Sequence, residues 1–308
     1  MEKVIIIGAG PAGISAALYA VRGNLDPLVI NNGIGALEKA EKIENYYGLE
    51  HPLSGQELYD TGIAQAKALG VRILDAQVLG VGGFDTFVVK TTEGEFETQS
   101  LILATGSKRA APKIPGVKEF EGKGVSYCAI CDAFFYRGKD VAVLGNGDFA
   151  MHEAKELSNT ASTVTIYTNG EEPEFTPEEN ISVNTMKIQS VEGDDLVSGI
   201  RLEPDVQAEE IKAEAGQQAN DFCPAEGVFI AMGTAGSTEI ARQMGAELTE
   251  KGNIKVNENM ETTIPGLYAA GDCTGGLLQV AKALQGHRTQ KSLAHSQLSG
   301  ECGRRPEC

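Results

Sequence analysis

A glycine turn near the start of the chain constrains the fold more than any other feature. Gly8, Gly10 and Gly13 form a G-x-G-x-x-G pattern between an apolar run, residues 3–7, and a helical pattern, residues 12–22. In a strand–turn–helix unit the first glycine permits the tight turn, and the second lets a pyrophosphate approach the backbone. The third lets helix and strand pack closely. The turn therefore predicts a Rossmann-like domain that binds a dinucleotide.

The ribose position of this motif departs from the usual pattern. A carboxylate about 20 residues after the turn commonly accepts a hydrogen bond from a ribose hydroxyl. Here the second predicted strand, residues 27–30, is followed by Asn31. An asparagine still accepts a hydrogen bond, although it brings no charge. Asn31 is therefore the predicted ribose residue.

The opening pattern recurs in the middle of the chain. A predicted strand, residues 140–144, leads into the turn Gly145-Asn146-Gly147, and a helix over 150–159 precedes a strand over 163–167. Two such βαβ units favour an α/β protein with two Rossmann-like nucleotide-binding domains. The predicted architecture is the three-layer ββα type, with the second domain inserted into the first.

Two linker candidates set the predicted domain bounds. A Pro-rich stretch, residues 111–115, and a stretch at 233–237 interrupt the periodic segments. After the second stretch, the chain returns to a predicted strand, residues 266–270, and a final helix. We therefore expect residues 1–112 plus 244–308 to form one domain and residues 113–243 the inserted one.

A pair of cysteines lies in the inserted domain. Cys128 and Cys131 form C-x-x-C, and Asp132 follows directly. Thiols at this spacing close a small disulfide ring, a helix N-terminus lowers a thiol pKa, and a neighbouring acid carries protons. A zinc site and a buried structural pair are the alternatives, but structural zinc takes four ligands and no second C-x-x-C is present. Redox chemistry is favoured, and no metal site is predicted.

Charge and hydropathy exclude two classes of partner. The net charge of −17 argues against nucleic acid, whose phosphates attract basic surfaces. No apolar run approaches the roughly 18 residues of a membrane span, and the N-terminus does not resemble a signal peptide. A cytoplasmic location is therefore predicted. In that compartment a C-x-x-C pair is catalytic or metal-binding more often than a permanent crosslink.

Together these motifs resemble those of the low-molecular-weight thioredoxin reductases, in order and over nearly the whole chain. The matching segments are residues 8–13, 44–48, 104–106, 114–116, 128–132, 145–150 and 266–272. The resemblance implies an FAD-dependent disulfide reductase that acts on thioredoxin as a homodimer. It also implies that Cys131 faces the flavin, that Cys128 attacks the protein substrate and that Asp132 is the acid–base.

The resemblance further implies which residues hold FAD. The first and last segments contribute most of them, and Asn45 would lie near the isoalloxazine. The full set is Gly8, Gly10, Pro11, Ala12, Gly13, Asn31, Asn45, Ala104, Thr105, Gly106, Gly271, Asp272, Gln279 and Val280.

The second glycine turn departs from the NADPH-using members of that family. Those members have an arginine pair after the following strand, where this chain has Thr168 and then Glu171, Glu172 and Glu174. A phosphate of about −2 charge is repelled by such carboxylates. Each lost charge-assisted hydrogen bond costs about 1.5–3 kcal/mol. Phe149 also stands where a small residue is usual. The second nucleotide site is therefore predicted to be degenerate.

A disulfide reductase without a pyridine nucleotide needs another electron donor. In this respect the chain is most similar to ferredoxin-dependent flavin thioredoxin reductases, which keep the FAD and cysteine motifs. The predicted route runs from ferredoxin through FAD and the Cys128–Cys131 disulfide to thioredoxin. An NADPH-dependent thioredoxin reductase, a flavin dithiol oxidase and a redox-sensing binding protein are the alternatives.

Overall fold

The chain folds into two compact units, Met1–Arg109 with Gly236–Cys308 and Ala110–Ala235. A computed structural model describes residues 1–83, 85–106, 112–204, 221–232 and 236–275, with the backbone alone at Cys131. Among these residues no helix is both long enough and apolar enough to cross a bilayer.

The described residues form the following strands and helices. The strands are β1 (Val4–Ile7), β2 (Pro27–Asn31), β3 (Arg72–Asp75), β4 (Val78–Gly82), β5 (Phe87–Thr91), β6 (Gly94–Thr98), β7 (Leu101–Leu103), β8 (Val125–Ser126), β9 (Asp140–Leu144), β10 (Thr163–Tyr167), β11 (Ser182–Asn184), β12 (Ile188–Gly193), β13 (Val197–Leu202), β14 (Phe222–Pro224), β15 (Gly227–Ile230) and β16 (Leu267–Ala269). The helices are α1 (Pro11–Arg22), α2 (Gly55–Ala68), α3 (Ala129–Asp132), α4 (Asp148–Ser158) and α5 (Ser237–Gln243), with 3₁₀ helices at Gly35–Lys39, Ala133–Tyr136 and Asp272–Thr274.

A five-stranded parallel sheet organises the first unit. Its strand order is β16-β7-β1-β2-β3, and an antiparallel sheet of β4, β5 and β6 accompanies it. On one face, Val4, Ile6 and Val29 pack against Ala16 and Ala17 of α1 in a continuous apolar core. The alanines allow a close approach of helix and sheet. The parallel register brings the carboxyl ends of β1, β7 and β16 to one edge.

The second unit repeats this architecture. Its parallel sheet has the order β11-β10-β9-β15-β8, beside an antiparallel sheet of β12, β13 and β14. Leu144 and Val228 of the parallel sheet share a core with Val191 and Ile200 of the antiparallel one. Successive strand residues face opposite layers, and α4 packs on β9 and β10. These layers confirm the predicted α/β class with two Rossmann-like domains.

The predicted elements differ from the observed ones mainly at their ends. The helix expected from residue 150 begins at Asp148, because Gly147 is the extended N-cap and an acidic first turn is favourable there. The chain passes from the second unit back to the first within the predicted linker, residues 233–237, and the last of these residues, Ser237, is buried at the start of α5. The helix predicted over the last residues lies outside the described part of the chain.

The predicted domain bounds stay a prediction, but α5 groups with the first unit rather than with the inserted one. Two hydrogen bonds explain this. The Thr105 hydroxyl donates to Ser237 Oγ at 2.7 Å, and the backbone N–H of Ser237 donates to Thr105 Oγ1 at 2.8 Å. They fasten the start of α5 to the carboxyl end of β7.

Candidate functional site

The first glycine turn has the shape that the motif predicts. Gly8 has a φ of +108°, and a Cβ there would lie 2.4 Å from the carbonyl oxygen of Ala104. A Cβ on Gly13 would lie 1.9 Å from the Gly8 oxygen, so both positions require glycine. Gly10, by contrast, has nothing within 4 Å of its Cβ position. The turn is therefore tightly packed at Gly8 and Gly13 and has open space at Gly10.

The N-terminus of α1 is available to an anion. Gly10 is its N-cap, Pro11 occupies the first turn, and the first turn contains no acidic residue. No side chain caps this end with a hydrogen bond. Free N–H groups at a helix N-terminus attract phosphate through the helix dipole. The turn and helix therefore fit a pyrophosphate, as predicted for residues 8–13.

Asn31 lies at the carboxyl end of β2, and its side chain is hydrogen-bonded to two neighbouring side chains. Its Nδ2 donates to Asp75 Oδ1 at 2.6 Å, and the Tyr59 hydroxyl donates to its Oδ1 at 2.8 Å. Burial raises the pKa of Tyr59, so the phenol stays a neutral donor. The carboxylate missing from β2 is thus present at the end of β3. Sequence reasoning missed Asp75 because only strand pairing brings it beside Asn31.

Other predicted FAD residues converge on the same edge. Ala104 continues β7 and Thr105 is tied to α5, while Gly271, with a φ of +81°, turns the chain after β16 towards Asp272. Cys273 is buried there, and burial raises its thiol pKa to about 12. A thiol with that pKa is unreactive near neutrality.

Three predicted FAD residues are not brought to this edge by described contacts. Asn45 lies on an exposed bend between the first 3₁₀ helix and α2, so its role stays a prediction. Gln279 and Val280 lie outside the described residues.

Cys128 directly precedes α3 in the second unit. It is disulfide-bonded and only 3% exposed. The other cysteine side chains that the structure describes, Cys223 and Cys273, are free. The side chain of Cys131 is not described, so its pairing with Cys128 stays a prediction.

A buried serine joins Asp132, the predicted acid–base, to the cysteine segment. We call this segment, Cys128 with α3, the redox segment. The Ser126 hydroxyl donates to Asp132 Oδ2 at 2.6 Å and accepts from the backbone N–H of Cys128 at 3.1 Å. The carboxylate of Asp132 is thereby held beside the redox segment. Sequence reasoning missed Ser126, although a serine commonly bonds the N–H two residues ahead.

A buried acid supports the same segment from α4. Glu153 is 1% exposed, and its Oε2 accepts from the backbone N–H of Ala129 at 2.7 Å. Burial raises the pKa of Glu153 to about 7, which the Ala129 hydrogen bond partly opposes. In the sequence this residue is indistinguishable from an ordinary helical glutamate.

An apolar patch lies on and immediately after α3, which we call the redox helix. Phe134 and Phe135 are 71% and 69% exposed, and their ring centroids are 6.2 Å apart in an edge-to-face arrangement. Arg137 lies over the Phe134 ring, and Ile130 is also exposed. Exposed clusters of large apolar residues mark interaction sites. We call Ile130, Phe134 and Phe135 the aromatic patch.

The second glycine turn is covered by the loop that follows β10. Asn146 Nδ2 donates to Glu171 Oε2 at 2.6 Å, and the backbone N–H of Glu174 donates to the Asn146 carbonyl at 2.7 Å. The Thr168 hydroxyl in turn donates to the Glu171 carbonyl. A carboxylate therefore lies against this turn. Phe149, predicted to obstruct a nucleotide backbone, is buried.

Comparison with known proteins agrees with this arrangement. The family model described as pyridine nucleotide-disulphide oxidoreductase matches residues 2–286. A thioredoxin reductase of Aquifex aeolicus is 37% identical over 284 residues, covering 87% of this chain and 84% of that protein. One of Bacillus subtilis is 35% identical over 282 residues, covering 87% and 85%.

Solved structures give the same result. The atypical thioredoxin reductase TRi from Desulfovibrio vulgaris Hildenborough has a TM-score of 0.85 at 38% identity, covering 98% of this chain and 99% of that one. A ferredoxin-flavin thioredoxin reductase from Clostridium acetobutylicum has a TM-score of 0.67 at 28% identity, covering 96% and 98%. Relatives of this kind are FAD-binding flavoproteins, which confirms the predicted cofactor. The chain belongs to the pyridine nucleotide-disulphide oxidoreductase family.

Proposed function

We propose that the protein is a flavin-dependent thioredoxin reductase in which a Cys128–Cys131 disulfide passes electrons to thioredoxin and ferredoxin is the donor. The observation that carries the proposal is the disulfide-bonded Cys128 beside Asp132, which Ser126 holds in place. The flavin, when bound, supplies the electron pair that reduces this disulfide. The glycine turn of the first unit would hold its pyrophosphate at Gly10, and Asp272 its ribityl chain.

Thiol–disulfide exchange then follows from the residues of the redox segment. The Cys128 thiolate attacks one sulfur of the thioredoxin disulfide, forming a mixed disulfide and releasing the other sulfur as a thiolate. The Cys131 thiolate attacks the Cys128 sulfur, restores the internal disulfide and releases reduced thioredoxin. Asp132 takes a proton from the attacking thiol, which makes it a thiolate, and returns the proton to the thiolate that leaves.

The aromatic patch supplies the docking surface in this proposal. Large aromatic side chains at a protein interface contribute much of the binding energy, and Phe134 and Phe135 stand exposed directly after the redox helix. A protein disulfide is a more suitable substrate for such a patch than a small thiol. Because Cys128 is buried, exchange requires a rearrangement that exposes its sulfur.

The choice of ferredoxin rests on the second glycine turn. Glu171 lies against Asn146, and Glu172 and Glu174 follow in the same loop. The 2′-phosphate of NADPH would meet these carboxylates without a basic residue between positions 163 and 175. The likeness to the clostridial ferredoxin-flavin structure supports the same donor. The curated relatives are named thioredoxin reductase, and those names do not state a donor.

The donor is tested by anaerobic reduction of the FAD-loaded protein. Reduced ferredoxin, NADPH and NADH are added separately, while flavin absorbance and thioredoxin thiols are followed. We expect bleaching and thioredoxin reduction with ferredoxin only. Robust turnover with NADPH alone would show that the donor is wrong.

A matched variant separates the two halves of the reaction. Cys128→Ser should abolish thioredoxin reduction while ferredoxin still bleaches the flavin. If the variant keeps full turnover, the disulfide route itself is wrong. Rapid peroxide formation from a small dithiol would instead identify a flavin dithiol oxidase.

A further inference from the structure

Glu153 is a buried acid that the proposed exchange reaction does not use. We propose that it is a positioning residue that holds the redox helix in place and takes up the second proton when the Cys128–Cys131 disulfide is reduced. One sulfur thereby remains a thiolate. The inference rests on the proposed function, because it requires these two cysteines to form a redox couple.

The carboxyl group of Glu153 contacts the backbone of the redox segment. Ala129, whose N–H donates to Glu153 Oε2, is the first residue of α3 and directly follows Cys128. The α3 and α4 helices pack against each other. The other oxygen, Oε1, is buried and has no hydrogen-bond partner among the described residues. Desolvation of an ionised carboxylate costs far more than that of a neutral acid, so this environment accommodates a proton.

Few charges face Glu153 from the elements around it. On α3 the charged group is Asp132, which is engaged by Ser126, and on β9 it is the exposed Asp140. On β10 the titratable group is Tyr167. Burial raises the pKa of its phenol, so that it stays neutral. The remaining groups lie on α4 itself and are Asp148, His152, Lys155 and Glu156. Of all these, Glu156 acts on Glu153 and raises its pKa further.

Reduction changes the charge beside this acid. The disulfide is neutral, whereas a reduced pair with one thiolate carries a negative charge. Two like charges in a buried site each raise the proton affinity of the other. A thiolate at the Cys128 segment therefore favours the protonated form of Glu153, and a protonated Glu153 favours the thiolate over a second thiol.

Electrons and protons balance in this scheme. The disulfide bond accepts two electrons from the reduced flavin and breaks, while two protons enter from solvent. One proton forms a thiol, the other forms the Glu153 carboxylic acid, and the remaining sulfur is the nucleophilic thiolate. When the internal disulfide re-forms, both protons leave again and balance the two thiols formed on thioredoxin.

The test follows thiol reactivity in the FAD-loaded enzyme after reduction with dithiothreitol and removal of the reductant. Iodoacetamide alkylation of Cys128 is measured against pH, and mass spectrometry identifies the site. In Glu153→Gln the profile should move to lower pH by about one unit, because glutamine stays neutral at every pH, whereas ionised Glu153 opposes the thiolate. Asp148→Asn removes an acid from the same helix that does not act on Glu153, and it should leave the profile unchanged.

Infrared difference spectra of oxidised and reduced enzyme provide a readout that a purely structural role would not move. At pH 7 the wild type should gain a carboxylic-acid C=O band on reduction, and Glu153→Gln should lack it. An unchanged alkylation profile, or a wild type without the band, would overturn the inference. If the glutamine variant fails to fold, the wild-type band alone decides: its presence on reduction supports the inference, and its absence overturns it.

The same samples distinguish failure of the inference from failure of the proposed function. Mass spectrometry of the unreduced protein shows whether Cys128 and Cys131 are joined. If they are not joined, the proposed function itself fails. If they are joined and reducible but no carboxyl group gains a proton, only the role of Glu153 is wrong.

Discussion

Two side chains hold the redox segment through single backbone N–H groups. Ser126 accepts from Cys128 and Glu153 accepts from Ala129. Both are buried, so each lost hydrogen bond would leave an unsatisfied donor in the interior, where the cost is largest. At the residue scale, the position of the disulfide therefore depends on neighbours that carry out no bond exchange themselves.

Replacement of Ser126 tests its link to Asp132. Ser126→Ala should slow thioredoxin reduction by about tenfold or more, because a charge-assisted hydrogen bond of about 1.5–3 kcal/mol is lost. Ser126→Thr keeps the hydroxyl and should retain most of the rate. Turnover is measured with excess donor, and flavin bleaching by the donor serves as the control. An alanine variant at the wild-type rate would contradict the role of Ser126.

Glu153 should also make stability depend on pH. Its folded pKa of about 7 lies above the unfolded value of 4.5, so the folded state binds more protons between these values. Stability from this group is full below pH 4.5 and is lost as pH rises through 7. The loss should be roughly 3 kcal/mol.

Denaturant unfolding of the oxidised protein at pH 4.5 and pH 8 measures this effect. The difference between wild type and Glu153→Gln isolates the one carboxyl group from the other acids of the chain. Free energies of unfolding that change in parallel for the two proteins would exclude the titration of Glu153.

At the scale of elements, the β1–turn–α1 unit shows how one short segment serves two purposes. Gly8 and Gly13 allow the strand and helix to approach closely, whereas Gly10 leaves space above the helix N-terminus. The corresponding turn in the second unit has the same tight packing at Gly145, but Glu171 lies against its Asn146. The same supersecondary unit therefore leaves its helix N-terminus open in one place and meets a carboxylate in the other.

Two alanine substitutions separate folding from cofactor binding in the first turn. Gly8→Ala should lower the Tm of the FAD-free protein, because its Cβ would clash with Ala104 and the φ of +108° is unfavourable for alanine. Gly10→Ala should leave that Tm unchanged, because its φ is −72° and its Cβ has room. It should nevertheless weaken FAD binding by roughly tenfold or more, since the methyl group blocks a close phosphate contact.

Thermal unfolding of the FAD-free proteins and flavin fluorescence titrations measure the two effects. If Gly10→Ala binds FAD as tightly as the wild type, the pyrophosphate does not lie over this turn.

At the scale of the whole molecule, two Rossmann-like units with different sites are joined in one chain. The first contains the predicted FAD residues, and the second carries the redox segment and the aromatic patch. The acidic residues of the chain concentrate between positions 170 and 226, within the second unit.

The homodimer implied by the family resemblance stays a prediction. We expect light scattering of the FAD-loaded protein to give a mass near twice the 32.6 kDa of the chain. A mass of a single chain at micromolar concentration would contradict it.

The sequence by itself determined the α/β class, the repeated βαβ units and the candidate residues of the glycine turn and the C-x-x-C. These features depend on residues that are neighbours in the chain, so that hydrophobic periodicity and glycine spacing are enough to predict them. Only the tertiary structure decided which distant side chains meet. Asp75 reaches Asn31 across 44 positions, Glu153 reaches Ala129 across 24, and Glu171 reaches Asn146 across 25. Strand pairing and helix packing create these contacts, and no local pattern records them.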